Sequence, residues 1–459
     1  MKAIDHPAIL TIADFLGDPV EAAAFPAHIL RWRNDRAAAE IGLEGLSDAE
    51  WIDRFGRFVP FPGNVPQPMA LRYHGHQFGS YNLDLGDGRG VLFAQFRDSD
   101  GRLIDLGTKG SGQTPWSRFG DGRLTLKGAV REIHATEMLA ALGVDTSRTL
   151  SVIETGEALH RGDEPSPTRS AVMVRQSHGH IRIGTFQRLA HLGLAEEMER
   201  LLRYCLVQYT GLDAHEAETI AVDVAAARLV AFTATRCART AASYMVAGFV
   251  HGVLNTDNIN ITGESFDYGP WRFTPTWDPA FVAAYFDHGG LYAFGRQAQV
   301  IHWNVGQLAV SLRLLTEAEP LVTALETFAP AYEAALAERF CWRLGVTHAT
   351  PDEDKALVLA AERLMRAEGG SIDGFYADWA GGRLPQGAAS PEREAFMAAL
   401  KGRVASRPHW PDIAVPQSLP IEEVEALWAP IAEHDDWQPM VAKVAAIRAM
   451  GRAMDNALA

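Results

Sequence analysis

The chain has 459 residues, 47% of them apolar, and a formal charge of −15. That length can bury a large core and is expected to form two lobes or domains. The acidic balance argues against general nucleic-acid binding, which demands clustered Lys and Arg.

The first residues, MKAIDHPAILTIADFLGDPVE, lack the basic and apolar regions of a signal peptide. No run of about eighteen apolar residues is available to span a membrane. Cys205, Cys237 and Cys341 lie far apart without a CxxC spacing, which argues against a disulfide framework. A cytoplasmic location, with neither membrane nor nucleic acid as partner, is the expectation.

Residues 1–70 read as a helical opening around 26–42 followed by VPFPGNVPQP, together an N-terminal helical and irregular arm. Between 71 and 180 short strands alternate with Asp-Gly turns. YNLDL, GDGR, GVLFAQFRD, DSDGR and LIDLGTKG predict a β-meander. An amphipathic helix spans 126–142, carries Arg131, Glu132 and Glu137, and ends at Gly143. TLSVIET and SAVMVRQS predict two further strands around RGDEPSPT.

After Thr185 the pattern is helical over 187–210, 216–253, 303–315, 321–343 and 354–366, with a β-hairpin at 257–268 interrupting it. The most apolar stretch, 222–253, contains Arg228, Arg236 and Arg239 and reads as a buried helix. Breaks at 381–391 and 405–420 leave short helices at 392–401, 421–429 and 438–454. A sheet holding one helix, followed by helices, is an α+β order. The expected division is the arm 1–70, a β-rich nucleotide-binding lobe 71–180, a helical lobe 181–320 with the metal and catalytic loop, and a helical extension 321–459.

The chemistry is expected in HGVLNTDNINITGESFDYG, residues 251–269. Asn258 and Asp267 would bring an amide oxygen and a carboxylate together, a donor set suited to Mg²⁺. Kinase-like sites use H-x-D-x-x-x-x-N followed by D-F-G, with Asn and the second Asp on metal and the first Asp as base. Laying His251 on that His puts Asn258 on the metal Asn and Asp267-Tyr268-Gly269 on DFG. The base position then falls on Val253, which cannot accept a proton. Asp257, beside the metal Asn, is the replacement.

Phosphate-handling residues gather earlier in the chain. Lys109 ends a strand in LGTKGSG, and Glu132 on the following helix could hold its ammonium, as in kinase-like small lobes. GDGR occurs at 86–89 and again at 120–123, offering glycines for close backbone approach and an Arg for forked contacts. Arg175 and Arg182, in VMVRQSHGHIRIG, flank the linker from sheet to helices and could clamp a phosphate tail. His178 and His180 have no third ligand at a metal spacing.

Together HGHQFGSYNLDLGDGRG, LGTKGSGQTPWSRFGDGR, REIHATEMLAALGV, HIRIG, HGVLNTDNINITGESFDYGP and YAFGRQ…WNVGQLA resemble the selenoprotein O family, called YdiU in bacteria, over about 70–310. The resemblance implies a protein-kinase-like two-lobed fold that binds ATP reversed and transfers AMP to Ser, Thr or Tyr hydroxyls of proteins. It implies Asp257 as base and Asn258 and Asp267 as ligands of Mg²⁺, with Mn²⁺ and UTP conceivable. Gly86, Gly88, Arg89, Lys109, Asp121, Gly122, Arg175 and Arg182 would contact ATP, and Glu132 would pair with Lys109. Two departures stand out: Trp116 replaces the usual Tyr or Phe, and the tail GRAMDNALA lacks the Cys or selenocysteine common in the family, so no redox switch is expected there. The alternatives are an ordinary phosphotransferase and a nucleotide-binding pseudokinase scaffold.

Overall fold

A computed structural model describes residues 6–162 and 164–454. The tail 455–459 and Asp163, in the polar loop between two expected strands, lie outside the described residues.

The fold is α+β, as the element order predicts. An eight-stranded antiparallel sheet is built from β1 (Gly17–Pro19), β2 (Ile29–Arg33), β3 (Met69–Leu71), β6 (Leu92–Arg97), β7 (Leu103–Lys109), β8 (Leu124–Thr125), β9 (Arg148–Leu159) and β10 (Thr168–Ser177). Its order is β1-β3-β6-β7-β10-β9-β2, with β8 added beside β10. β4 (Gly75–Gln77) and β5 (Ser80–Asn82) form a separate hairpin. The meander is therefore real at β6–β7, but YNLDL is strand only at its start. The helical opening expected at 26–42 is helical only at its end, because Ile29–Arg33 pairs with β9 at the sheet edge.

Phe15 and Leu16 of α1 (Ala13–Leu16) join a separate cluster with Leu92, Leu103 and Met138. One face of the sheet is covered by α2 (Asp35–Glu40) and α3 (Asp48–Phe55) together with the loops around them. Trp51, Phe55, Phe58 and Phe61 pack there on Phe93, Phe96, Ile153 and Val174. The other face carries α4 (Leu126–Ala141), capped by the Thr125 hydroxyl and closed by Gly143 at φ 73°. Thirteen of its sixteen residues are buried, so α4 is enclosed on every side.

The helical part follows as α5 (Ile183–Leu192), α6 (Ala195–Thr210), α7 (Ala214–Thr219), α8 (Val222–Ala247), α9 (Gln297–Leu312), α10 (Ala318–Leu325), α11 (Phe328–Leu344), α12 (Pro351–Glu368), α13 (Ile372–Asp378), α14 (Pro391–Leu400), α15 (Ile421–His434) and α16 (Gln438–Ala453). Three expected long helices are each split. Gly193, left-handed at φ 68°, divides 187–210, and Gly248 at φ 70° ends α8 before β11 (Phe249–Val250). The extended Ile220 and Ala221 separate α7 from α8, and a turn at Glu326–Thr327 separates α10 from α11. Among the described residues no helix is long and apolar enough to cross a membrane.

Residues 257–268 do not form the expected hairpin. Ile183 N donates to Ile259 O and Ile261 N to Ile181 O, so the first half pairs with the linker before α5. Ser147 N donates to Ser265 O, and Ser265 N to Asp145 O, so the second half pairs with the chain leading into β9. The cause lies in α8, whose side chains take the carbonyls a hairpin would use: Thr233 bonds Ile261 O, Arg236 bonds Thr262 O and Thr240 bonds Gly263 O. His251 Nε2 lies 2.9 Å from Phe266 O and ties the two ends of the segment together.

Candidate active site

The split pairing carries the segment across the boundary between sheet and helices. Asp257 sits in a short 3₁₀ turn, Thr256–Asn258, beside the linker that bears Arg182. A cleft of about 730 Å³ opens there, within the usual size for a small-molecule site. It is lined by Gly86, Gly88, Arg89, Lys109, Asp121, Gly122, Arg175, Arg182, Asp257, Asn258 and Asp267. Every expected nucleotide, base and metal residue thus faces one space. Glu132 stands behind Lys109, its Oε2 2.7 Å from Nζ.

The glycines of the two GDGR motifs serve close packing first. A Cβ on Gly86 would enter the Trp116 ring, and one on Gly122 would enter the Gly112 backbone. Gly122 also has φ 70°, which a side chain disfavours. Trp116 is fixed by its indole nitrogen, which donates to Asp18 at 2.9 Å. The first motif therefore packs on Trp116 and Ser117, and the second folds back on Gly112, at the cleft mouth. Arg89 is exposed there, while Asp121 is engaged by Arg161 and by the Arg123 backbone nitrogen.

Charge is concentrated at the inner end. Asp267, left-handed at φ 61°, accepts from Arg175 Nη1 at 2.5 Å on one oxygen and from Arg182 Nη1 at 2.6 Å on the other. Lys109 Nζ is 4.0 Å away. Burial alone would raise this carboxyl, but Arg175, Arg182 and Lys109 together hold it well below the usual carboxylate range. Burial likewise pulls the Lys109 ammonium down, against the opposing pull of Glu132.

Asp257 has a different environment. Gln77 Nε2 approaches its Oδ2 at 3.4 Å, and its Oδ1 is buried without a hydrogen-bond partner. Burial pushes this carboxyl up to about 6, with Arg182 pulling the other way. A buried carboxylate with one oxygen uncommitted beside a cleft can take a proton from a bound group. Val253, at the kinase base position, lines the cleft and offers only its backbone oxygen, which accepts from Asn258 Nδ2 at 2.8 Å. That bond leaves Asn258 Oδ1 as the atom it can present to a ligand.

Asn258 Oδ1 and the Asp267 carboxylate line the same cleft and are oxygen donors of the kind a hard divalent cation takes. His178 and His180 do not contribute. His178 Nδ1 lies 2.8 Å from Leu103 O, and His180 is packed against Ser177 and Arg175.

Sequence reading missed two contributors. Asp87, read only as a turn residue, is buried and accepts from Arg182 Nη2 at 3.2 Å. Gln77, from the β4–β5 hairpin, reaches Asp257 across 180 residues of chain. The Asp-Gly turn chemistry of GDGR masks the first, and nothing local signals the second.

The family model described as protein adenylyltransferase SelO matches residues 2–398. A protein nucleotidyltransferase YdiU of Synechocystis sp. is 41% identical over 472 residues, covering 95% of each chain. Its counterpart in Gloeobacter violaceus is 43% identical over 470 residues, covering 96% of this chain and 94% of that one. The Synechococcus elongatus protein of the same name is 42% identical, with 95% and 93% covered.

Proposed function

The chain belongs to the SelO family of protein nucleotidyltransferases, and from that premise we propose that it moves AMP from Mg-ATP to Ser, Thr or Tyr hydroxyls of proteins. The sheet with α4 and the helices from α5 to α10 would be the two lobes of a protein-kinase-like fold, with helical segments added at both ends. The observation that carries the reading is the pair Val253 and Asp257: no base stands at the kinase position, and a buried carboxylate with a free oxygen stands four residues on.

In this reading Asp257 takes the proton of the protein hydroxyl. The hydroxyl oxygen forms a bond to the α-phosphorus, the bond from that phosphorus to the β-phosphate bridge breaks, and pyrophosphate leaves. Arg175 and Arg182 hold the leaving end, Lys109 sets a third positive charge, and Glu132 orients Lys109. Backbone N–H groups of the two GDGR loops, with Arg89, Asp121 and Gly122, would contact the nucleotide at the cleft mouth. Asn258 and Asp267 would hold Mg²⁺, which when bound offsets charge developing on the phosphates. Mn²⁺ with UTP is the variant of the same chemistry.

ATP labelled at either the α or the γ phosphate tests the reading. Label on protein from α-labelled ATP, with none from γ, is expected. The reverse pattern would mean an ordinary phosphotransferase, and ATP binding without label in either case would mean a scaffold. Labelling the cell-free proteome with wild type and with Asp267→Ala identifies the targets.

A further inference from the structure

The C-terminal helices grip the helix that carries Glu132. Leu126, Ala129, Val130 and Ile133 recur at helical spacing along α4 and share one apolar cluster with Ile431 of α15 and with Met440 and Val444 of α16. An ion pair sits at each end of this seam. In the first turn Lys127 Nζ lies 2.7 Å from Glu425 Oε2. Toward the last turn Glu137 accepts a forked pair from Arg448, Nε at 2.7 Å and Nη2 at 2.5 Å.

The second pair is the built one. Glu137 is buried, and Asn34 closes the network by donating to Glu137 Oε1 at 3.3 Å and accepting from Arg448 Nη2 at 3.1 Å. Two parallel charge-assisted bonds fix orientation as well as distance. Neither Arg448 nor Glu137 lines the nucleotide cleft. A helix moves as a unit, so a clamp on Glu137 also sets Glu132, five residues earlier. Glu132 Oε2 is the closest partner of Lys109 Nζ, and its other oxygen has no partner to anchor it.

We infer that Arg448 is a positioning residue for nucleotide phosphate: through Glu137 it fixes α4, through α4 it fixes Glu132, and so it places Lys109 Nζ in the cleft. The inference rests on the reading that Lys109 meets phosphate. Small displacements matter here, because a charge moved off its target loses most of its directed contact.

ATP affinity in a four-protein cycle of the full chain tests it: wild type, Arg448→Met, Lys109→Met and the double variant. Arg448→Met should weaken ATP about tenfold when Lys109 is present, the size of one misplaced charge-assisted contact. In the Lys109→Met background it should change affinity less than about twofold, since nothing remains to be placed. A merely structural role would weaken both backgrounds alike, and that result, or no effect in either, overturns the inference. Arg448→Lys should recover part of the loss. Glu137→Gln, which removes the charge that Arg448 clamps, gives the same test should Arg448→Met fail to fold, with a loss in the same direction expected only when Lys109 is present. Wild type that binds ATP yet labels no protein from the α-phosphate would sink the adenylyl-transfer reading and leave this comparison fully readable.

Discussion

Asp267 Oδ1 accepts a hydrogen bond from Arg175 Nη1 at 2.5 Å, so a carboxylate suited to metal and a guanidinium suited to phosphate neutralise one another. Arg182 does the same for the second oxygen. Unpaired, either charge would be costly in so buried a place. In the proposed reaction metal and nucleotide would arrive as complementary replacements, one for each side of the pair.

The first prediction is that coupling. In titration calorimetry ATP should bind wild type at least about tenfold tighter with Mg²⁺ than without, within the usual range of coupling between two ligands. Asp267→Ala removes the competitor for both arginines. Its ATP affinity should become nearly independent of Mg²⁺, while transfer is lost. A variant that still gains tenfold from Mg²⁺ would show that Asp267 is not where the two ligands meet.

Asp257→Asn keeps shape and the Gln77 neighbour but removes the proton acceptor. The transfer rate at saturating ATP should fall by about 10²–10⁴, the ordinary worth of general-base catalysis. ATP affinity should move by less than about threefold, because Asp257 holds no charge that phosphate needs. Single-turnover labelling with α-labelled ATP separates the two quantities. An unchanged rate would leave Asp257 without the role given to it here.

Much of this site was legible before the fold was known. Lys109 and Glu132 are paired by strand end, helix position and the pattern of kinase-like small lobes, and they stand 2.7 Å apart. Such pairs are legible because each residue lies on a regular element with a definite inward face. The segment 257–268 was not, although its chemistry was. Its alternation of apolar and polar residues is that of a strand, but the sequence does not say which neighbour a strand will choose. Here Thr233, Arg236 and Thr240 of α8 decide it by taking the carbonyls. Gly193 and Gly248 are left-handed helix ends, and the apolar periodicity that continues on both sides of each conceals the break. Asp87 was hidden by its own motif, because Asp-Gly is sufficient for a turn.

The packing of the GDGR loops gives a third prediction. Gly86→Ala drives a methyl into Trp116, which is fixed to Asp18, so neither partner can step aside cheaply. Overpacking of this kind should lower stability by about 1–3 kcal/mol. Gly45→Ala, with nothing within 4 Å of the added methyl, should stay within about 0.5 kcal/mol of wild type. Denaturant melts compare the two directly. Equal midpoints would mean that the loops give way more easily than their contacts indicate.

Glu264 supplies the pH prediction. Burial pushes its carboxyl up to about 8, Asp145 adds to the rise, and the His178 N–H bond at 2.9 Å, with Arg102 and Arg148, opposes it. In the unfolded chain the group titrates near 4.5. Below that value both states are protonated and Glu264 contributes nothing to the pH dependence. Between about 4.5 and 8 the unfolded state loses its proton while the folded state keeps it, so stability falls as pH rises and levels off above 8. Glu264→Gln is close in shape to the protonated form and cannot ionise. Relative to wild type it should be near-neutral at pH 4.5 and more stable by a few kcal/mol at pH 8, on the order of 1.4 kcal/mol for each unit between the two pKa values. Denaturation curves at several pH values across that window, for both proteins, read the difference. A gap that stays constant with pH would mean that Glu264 is ionised in the fold and that Arg102 and Arg148 outweigh its burial.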